Sequence, residues 1–419
     1  MAVRRKQKWR PAPRPEWVTR INEEGGHMDI ENIVPLDEES LLHSAKRKTG
    51  LSDFGGTDWV EPFRVMIKAI EEEAALNLMG RLMARSDILM MLENRLLLTE
   101  FRKRHPEVAA EEIRKPVFIL GLSRSGTSIL FEILSQDPGF RVPKYWEALF
   151  PCPLEGLAAG EVDPRIARGD ALVKQWHRVA PEYSTMHENA GELPCECGYL
   201  LTSCFISDHL GAIHQIPSYN AWLAQADLHP AYCFHRELLQ VLQWKERRKH
   251  WLLKGPWHIG NLRVLFETYP DACVVQTHRD PIKSMSSTTS ILGTIAWMRS
   301  DRPFDSDSWN ELMEAEGNAA RLEAVMRERD AGVIPSERIC DVLYKDIVGD
   351  PIGTVRRVYE CFGMELTAEV IDRMRSYIAS KPQGKFGKHT YDLDSAEDIS
   401  KERAVFRRYQ ERYGIPSEA

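Results

Sequence analysis

The stretch Pro116-Val117-Phe118-Ile119-Leu120-Gly121-Leu122-Ser123-Arg124-Ser125-Gly126-Thr127-Ser128 decides the fold. Its first five residues are a short apolar run, the pattern of a strand buried on both faces of a sheet. Beyond Ser128 the apolar residues recur at Ile129, Leu130, Ile133 and Leu134, which is helical spacing. Strand, glycine-bearing turn and helix, in that order, aim successive backbone N–H groups at one point and add the positive end of the helix dipole. That is an anion cradle. Gly121 and Gly126 let the backbone turn tightly and come close to a ligand.

The spacing G-x-x-x-x-G is that of a nucleotide P-loop, but Thr127 stands where the lysine of an NTPase belongs. An NTPase needs that lysine, and a metal, to offset the charge on the β- and γ-phosphates. A sulfuryl group carries less charge and transfers without a metal. Here the long cation lies inside the loop, at Arg124.

Working outward, residues 272–277 form a second apolar strand before a helix from Pro281, and residues 339–343 a third before a helix over 351–362. This alternation predicts an α/β fold: a P-loop-like three-layer domain with a central parallel sheet, over 113–419. Residues 31–112 read as an N-terminal helical extension. Phe63, Met66, Ile67 and Ile70 recur at three- and four-residue spacing, and Ser86-Asp87 resembles a helix start before Ile88, Leu89, Leu92 and Leu96. These stripes need a partner, so the extension packs on the core, with a homodimer through it left open. Residues 1–30, rich in Arg, Lys and Pro and carrying the cluster Arg4, Arg5, Lys6, Lys8 and Arg10, read as a flexible basic tail.

The 419 residues carry a formal charge of −7, which gives no electrostatic case for nucleic acid as a partner. No apolar run reaches the roughly 18 to 20 residues of a membrane span and no export signal opens the chain, so a cytoplasmic protein is expected. The eight cysteines are scattered, without CxxC spacing, and no His, Cys or Asp set has metal-ligand spacing. No metal is expected.

A second element follows the strand over 272–277. In His278-Arg279-Asp280-Pro281, Asp280 suits a helix N-cap and Pro281 the first helical position, which puts Ser287 two turns into the helix.

The loop from Gly121 resembles the 5′-phosphosulfate-binding motif of the sulfotransferase family, in its bacterial type, with Ser123 where the family usually has proline. Arg279 and Ser287 resemble its 3′-phosphate motif, and the likeness extends over roughly 116–415. It implies that the co-substrate is 3′-phosphoadenosine 5′-phosphosulfate. Arg124, Ser125, Gly126, Thr127 and Ser128 would hold its 5′-phosphosulfate, with Arg124 neutralising the bridging oxygen. Tyr344 would lie beside adenine. The segment Lys381-Pro-Gln-Gly-Lys385-Phe-Gly-Lys388-His389 resembles the family's late basic loop, which assigns Lys385 and Lys388 to the nucleotide.

In-line sulfuryl transfer to a hydroxyl or amine needs a base opposite the leaving nucleotide. Two candidates compete. Glu147 follows the loop helix where carbohydrate and tyrosyl-protein sulfotransferases carry a catalytic glutamate. His258 follows Lys254 in a Lys-Gly-Pro-Trp-His run similar to that of cytosolic sulfotransferases, in which Lys254 would clamp the transferring group. Glu188, Glu192 and Glu196 recur every four residues, with Pro194 interrupting the helix they would share, as a candidate cleft rim. The acceptor, a small molecule, lipid or glycan, would meet residues 150–235, where Trp176, Tyr183, Phe205, Tyr219 and Trp222 suit either pocket or core. The competing readings are a nucleotide-binding scaffold without chemistry and a magnesium-dependent kinase.

Overall fold

Five strands form one parallel sheet among the described residues: Val117–Gly121 (β1), Phe140–Arg141 (β2), His250–Lys254 (β3), Cys273–His278 (β4) and Ile339–Leu343 (β5), in the order β2-β3-β1-β4-β5. The computed structural model describes residues 12–158, 160–244, 246, 248–304, 314–381 and 396–418, without the side chains of 286, 287 and 396–399. β1 is central and β1 and β4 are buried throughout, because apolar clusters cover both faces of the sheet. Phe118 and Leu120 point to one cluster, Val117 and Ile119 to the other. That alternation follows from the period of two along a strand.

The chain leaves β1 toward β3 and β2, then crosses back over β1 to β4 and β5. Strand order therefore reverses at β1, and ligands of open α/β sheets sit at such a point, outside the carboxyl ends of the strands. Those ends gather four sequence candidates: the loop after β1, Lys254 at the end of β3, Arg279 just after β4 and Tyr344 just after β5. β2 and β3 are absent from the sequence reading. They are two and five residues long, and His250 and Lys254 confine the apolar run of β3 to Trp251, Leu252 and Leu253, too short to announce a buried strand.

The helices before β1 pack on residues of the later chain. Phe63, Met66 and Ile70 of the helix Val60–Glu73 join Ile88, Leu92 and Leu96 in a cluster completed by Phe205, Leu210, Ile216 and Tyr219. Ser86-Asp87 starts no helix. They lie inside one continuous helix, Leu78–Arg104, whose start is Asn77, with its side chain accepting from the Gly80 N–H at 2.8 Å. Asp87 is tolerated there because its carboxylate meets buried Arg299 at 2.7 Å instead of competing for the backbone. Part of the expected tail is also helical: Glu16–Gly25 buries Val18, and Arg14 donates to the carbonyls of Trp297 and Ser300. A three-turn helix with one apolar stripe needs few anchors when a groove already exists. Arg4, Arg5, Lys6, Lys8 and Arg10 lie outside the described residues.

Helix Leu78–Arg104 crosses the end of Pro281–Arg299 at Gly80, where an added Cβ would stand 1.9 Å from the Arg299 carbonyl oxygen. Since backbone cannot yield there, Gly80→Ala should destabilise the protein by about 1–3 kcal/mol. A lowered denaturation midpoint in urea, with unchanged slope, checks it.

Candidate functional site

The phosphate loop is shaped by three residues with positive φ, Gly121 at 155°, Arg124 at 67° and Gly126 at 95°. Glycine is required at 126 for a second reason. A Cβ there would meet the Tyr344 ring at 2.9 Å and Ile347 at 3.0 Å. Ser125 turns inward: its hydroxyl donates to the Leu122 carbonyl at 2.6 Å and meets Thr277 Oγ1 at 2.6 Å, tying the loop to β4. Its side chain thus stiffens the cradle from behind. The helix Thr127–Leu134 starts from Gly126 with no side-chain cap, so its first amides point to the mouth of the loop.

In front of the loop lies a cavity of about 840 Å³. Arg124, Thr127 and Ser128 form one wall, and Lys254 enters from β3. The Lys254 ammonium donates to Ser128 Oγ at 3.2 Å and pairs with Glu196 at 2.7 Å. Its side chain is 6% exposed, so this pairing is made out of water. Burial alone would raise the Glu196 carboxyl, but the charge of Lys254 and of neighbouring His187 more than offsets it and brings the pKa to about 2. Burial, with Lys254 adding to it, pushes His187 down to about 4. Asp208, which lines the same cavity, goes the other way. Burial and the Glu196 charge lift it to about 7. An ionised carboxylate and a neutral imidazole therefore share the neck between loop and cavity with the Lys254 side chain.

The two bases suggested by the sequence sit differently. Glu147 does not line the cavity. Its carboxylate takes both terminal nitrogens of buried Arg141 and the Lys144 N–H, at 2.9 Å, which closes a capping box on the helix Tyr145–Leu149. His258 does border the cavity, but its Nδ1 meets the Tyr232 hydroxyl at 2.7 Å and its ring stands edge-on to Phe118. Its Nε2 is buried with no hydrogen-bond partner, and burial pushes its pKa to about 3. Of the acidic series, Glu188 pairs with Lys381 at 2.7 Å and Glu192 faces Lys144 at 3.9 Å, leaving Glu196 at the centre. Sequence spacing hid this, because the three lie on the irregular segment between the helices Tyr183–Met186 and Cys197–Leu200 and not on one helix face.

On the β4 side, Asp280 caps the helix Pro281–Arg299 and Arg279 lies 3.9 Å over the Tyr344 ring. Its Nη1 donates to the Arg124 carbonyl at 3.0 Å, so the two predicted cations are joined through the loop backbone. Ser287 falls on that helix, but its side chain, like Lys385 and Lys388, lies outside what is described. Trp176 and Tyr183 line the cavity, whereas Phe205 and Tyr219 are fully buried in the cluster under the helical extension.

Residues 116–368, well over half of the chain, match the sulfotransferase family. The chain belongs to that family. It is 31% identical to the crystal structure of sulfotransferase STF1 from Mycobacterium tuberculosis H37Rv, with a TM-score of 0.74 over 89% of this chain and 98% of that one. Sulfotransferase STF9 from Mycobacterium avium, at 24% identity, shares the fold with a TM-score of 0.76 over 94% of this chain and all of that one. Among curated proteins, the omega-hydroxy-beta-dihydromenaquinone-9 sulfotransferases Stf3 of Mycobacterium bovis and Mycobacterium tuberculosis are 24% identical over 270 residues, 63% of this chain. The match covers 66% of those relatives' length. The expected P-loop-like fold with a central parallel sheet is thereby established, and with it sulfuryl transfer to an acceptor as the activity of the family. No helix among the described residues is long and apolar enough to cross a membrane.

Proposed function

We propose that this sulfotransferase moves a sulfuryl group from 3′-phosphoadenosine 5′-phosphosulfate to the hydroxyl of an elongated, largely apolar acceptor, with Glu196 as the base. The observation that carries it is Lys254, which touches the phosphate loop at Ser128 and the cavity carboxylate Glu196 at once. The residues present suit the donor. Glycines 121 and 126 let the loop pack against Thr277 and against Tyr344 and Ile347, where Cβ atoms would collide, and Arg279 already binds a carboxylate in fork geometry where a phosphate is expected.

The donor supplies an activated sulfuryl group at its 5′ end. Arg124 and the first amides of the helix Thr127–Leu134 face the charge that grows on the leaving oxygen. Glu196 takes the proton of the acceptor hydroxyl as its oxygen closes on sulfur. Lys254 stands between the two sites of negative charge, and an anion in the loop draws it from Glu196, which returns that carboxyl toward its ordinary basicity. The walls of the outer cavity, among them Trp176, Ile213, Leu223, Trp257, Ile291 and Ile295, offer mainly apolar surface, which excludes water from the neck and selects an apolar acceptor body. The menaquinone-type acceptor in the name of the Stf3 relatives fits this class.

Calorimetry with 3′-phosphoadenosine 5′-phosphate tests the nucleotide half, and a screen of lipid, phenol and glycan hydroxyls with labelled donor tests the acceptor half. We expect binding without added magnesium, and label on apolar alcohols. Failure to bind this nucleotide would sink the reading. Magnesium-dependent ATP turnover would put the kinase in its place.

A further inference from the structure

Arg279, the residue expected at the 3′-phosphate, already holds an anion. Its Nε donates to the two carboxylate oxygens of Glu418 at 2.9 and 3.1 Å, and its Nη2 donates to Oε2 at 2.8 Å. Glu418 is also seated through its backbone. Its N–H donates at 2.8 Å to Asp280, a fully buried carboxylate that caps the following helix and pairs with Arg403 at 3.1 Å. Upstream, Ile415 is buried and its N–H donates to the Gln410 carbonyl at 2.9 Å. The segment 415–418 faces Tyr344, Lys345 and Val348 across a separate cavity of about 320 Å³ that Arg279 also lines.

We propose that Glu418 is an intramolecular competitor of the donor's 3′-phosphate. Arg279 keeps Glu418 while the site is empty, exchanges it for the phosphate on binding, and takes it back as the nucleotide product leaves. This rests on the nucleotide reading above. A carboxylate tethered next to its partner acts at an effective concentration on the order of millimolar. A phosphate dianion can displace it because it brings more charge and more acceptor oxygens to the same guanidinium. No covalent bond changes. Because Arg279 also holds the Arg124 carbonyl, the exchange takes place one hydrogen bond from the residue that faces the transferring group. Glu418 would thus weaken donor and product together and shorten the lifetime of the bound product.

The test is calorimetric titration of 3′-phosphoadenosine 5′-phosphate and of 5′-AMP into the wild-type chain and into Glu418→Gln, with hydrogen exchange followed over residues 415–418. The variant should bind the bisphosphate about tenfold more tightly, the effect of removing one charge-assisted pair, and 5′-AMP with unchanged affinity. In the wild type, the bisphosphate should speed exchange at the Glu418 amide. Equal bisphosphate affinity in the two proteins overturns the competitor role while leaving the nucleotide site intact. An equal gain for 5′-AMP overturns it too, since Glu418 would then obstruct something other than the 3′-phosphate. If neither protein binds the bisphosphate, the nucleotide reading and this inference fall together.

Discussion

Glu196→Gln should lower turnover by about two to four orders of magnitude, the usual worth of a positioned base, while nucleotide affinity stays within a few fold. Glutamine keeps the shape at the neck of the cavity but cannot accept the proton. The loop, Arg124 and Arg279 are untouched, so 3′-phosphoadenosine 5′-phosphate should still bind, and the loss should appear in kcat. The pH profile gives an independent check. With Lys254 beside it, Glu196 has a pKa of about 2 in the free protein, so kcat/KM should show no acidic limb near the usual carboxylate value of roughly 4.3. The linkage to stability has a definite sign. The folded pKa lies below the unfolded one, so the ionised pair stabilises the protein above about pH 4.3, and that contribution is lost as pH falls through about 2. Turnover unchanged in Glu196→Gln would remove the residue from the chemistry.

Sequence legibility here follows the range over which each signal acts. β1, its loop and the following helix form one local unit, so periodicity and glycine spacing suffice to place Gly121, Arg124 and Gly126. The cap at Asp280 is equally local: its carboxylate accepts from Ile282, two residues on. Glu196 was harder to see, because its partner Lys254 is 58 positions away and meets it only once β3 lies beside β1. In the sequence Glu196 is one of three spaced acids, and only tertiary pairing separates it from Glu188 and Glu192. His258 misleads in the opposite way. A histidine four residues after a site lysine invites a catalytic role, yet Tyr232 and Phe118 enclose it. Glu418 carries no local signal at all, because its meaning comes from Arg279, 139 positions earlier.

The largest expected stability effect lies at the other proposed base. Glu147→Ala should cost about 3–5 kcal/mol, because it takes from the buried Arg141 guanidinium the carboxylate that both its terminal nitrogens meet and leaves only the exposed Glu246 at 3.6 Å. Both side chains are nearly inaccessible, at 6% and 5% exposure, so water cannot take over. Burial by itself would lower the Arg141 pKa, and the hydrogen bonds and charge of Glu147 reverse that and raise it. The pair also fixes local structure, since Glu147 accepts from the Lys144 N–H and Arg141 lies in β2 beside β3, with its guanidinium 5.1 Å from the Trp251 ring centroid. Replacing both residues by apolar ones, Arg141→Met with Glu147→Leu, should cost less than Glu147→Ala alone, because no bare charge remains. Denaturant midpoints on the three proteins measure this. Turnover per folded molecule should stay close to wild type in Glu147→Gln. A hundredfold loss of kcat with normal stability would return Glu147 to the reaction, whereas loss of stability with normal kcat assigns it to holding β2 and the capping box in place.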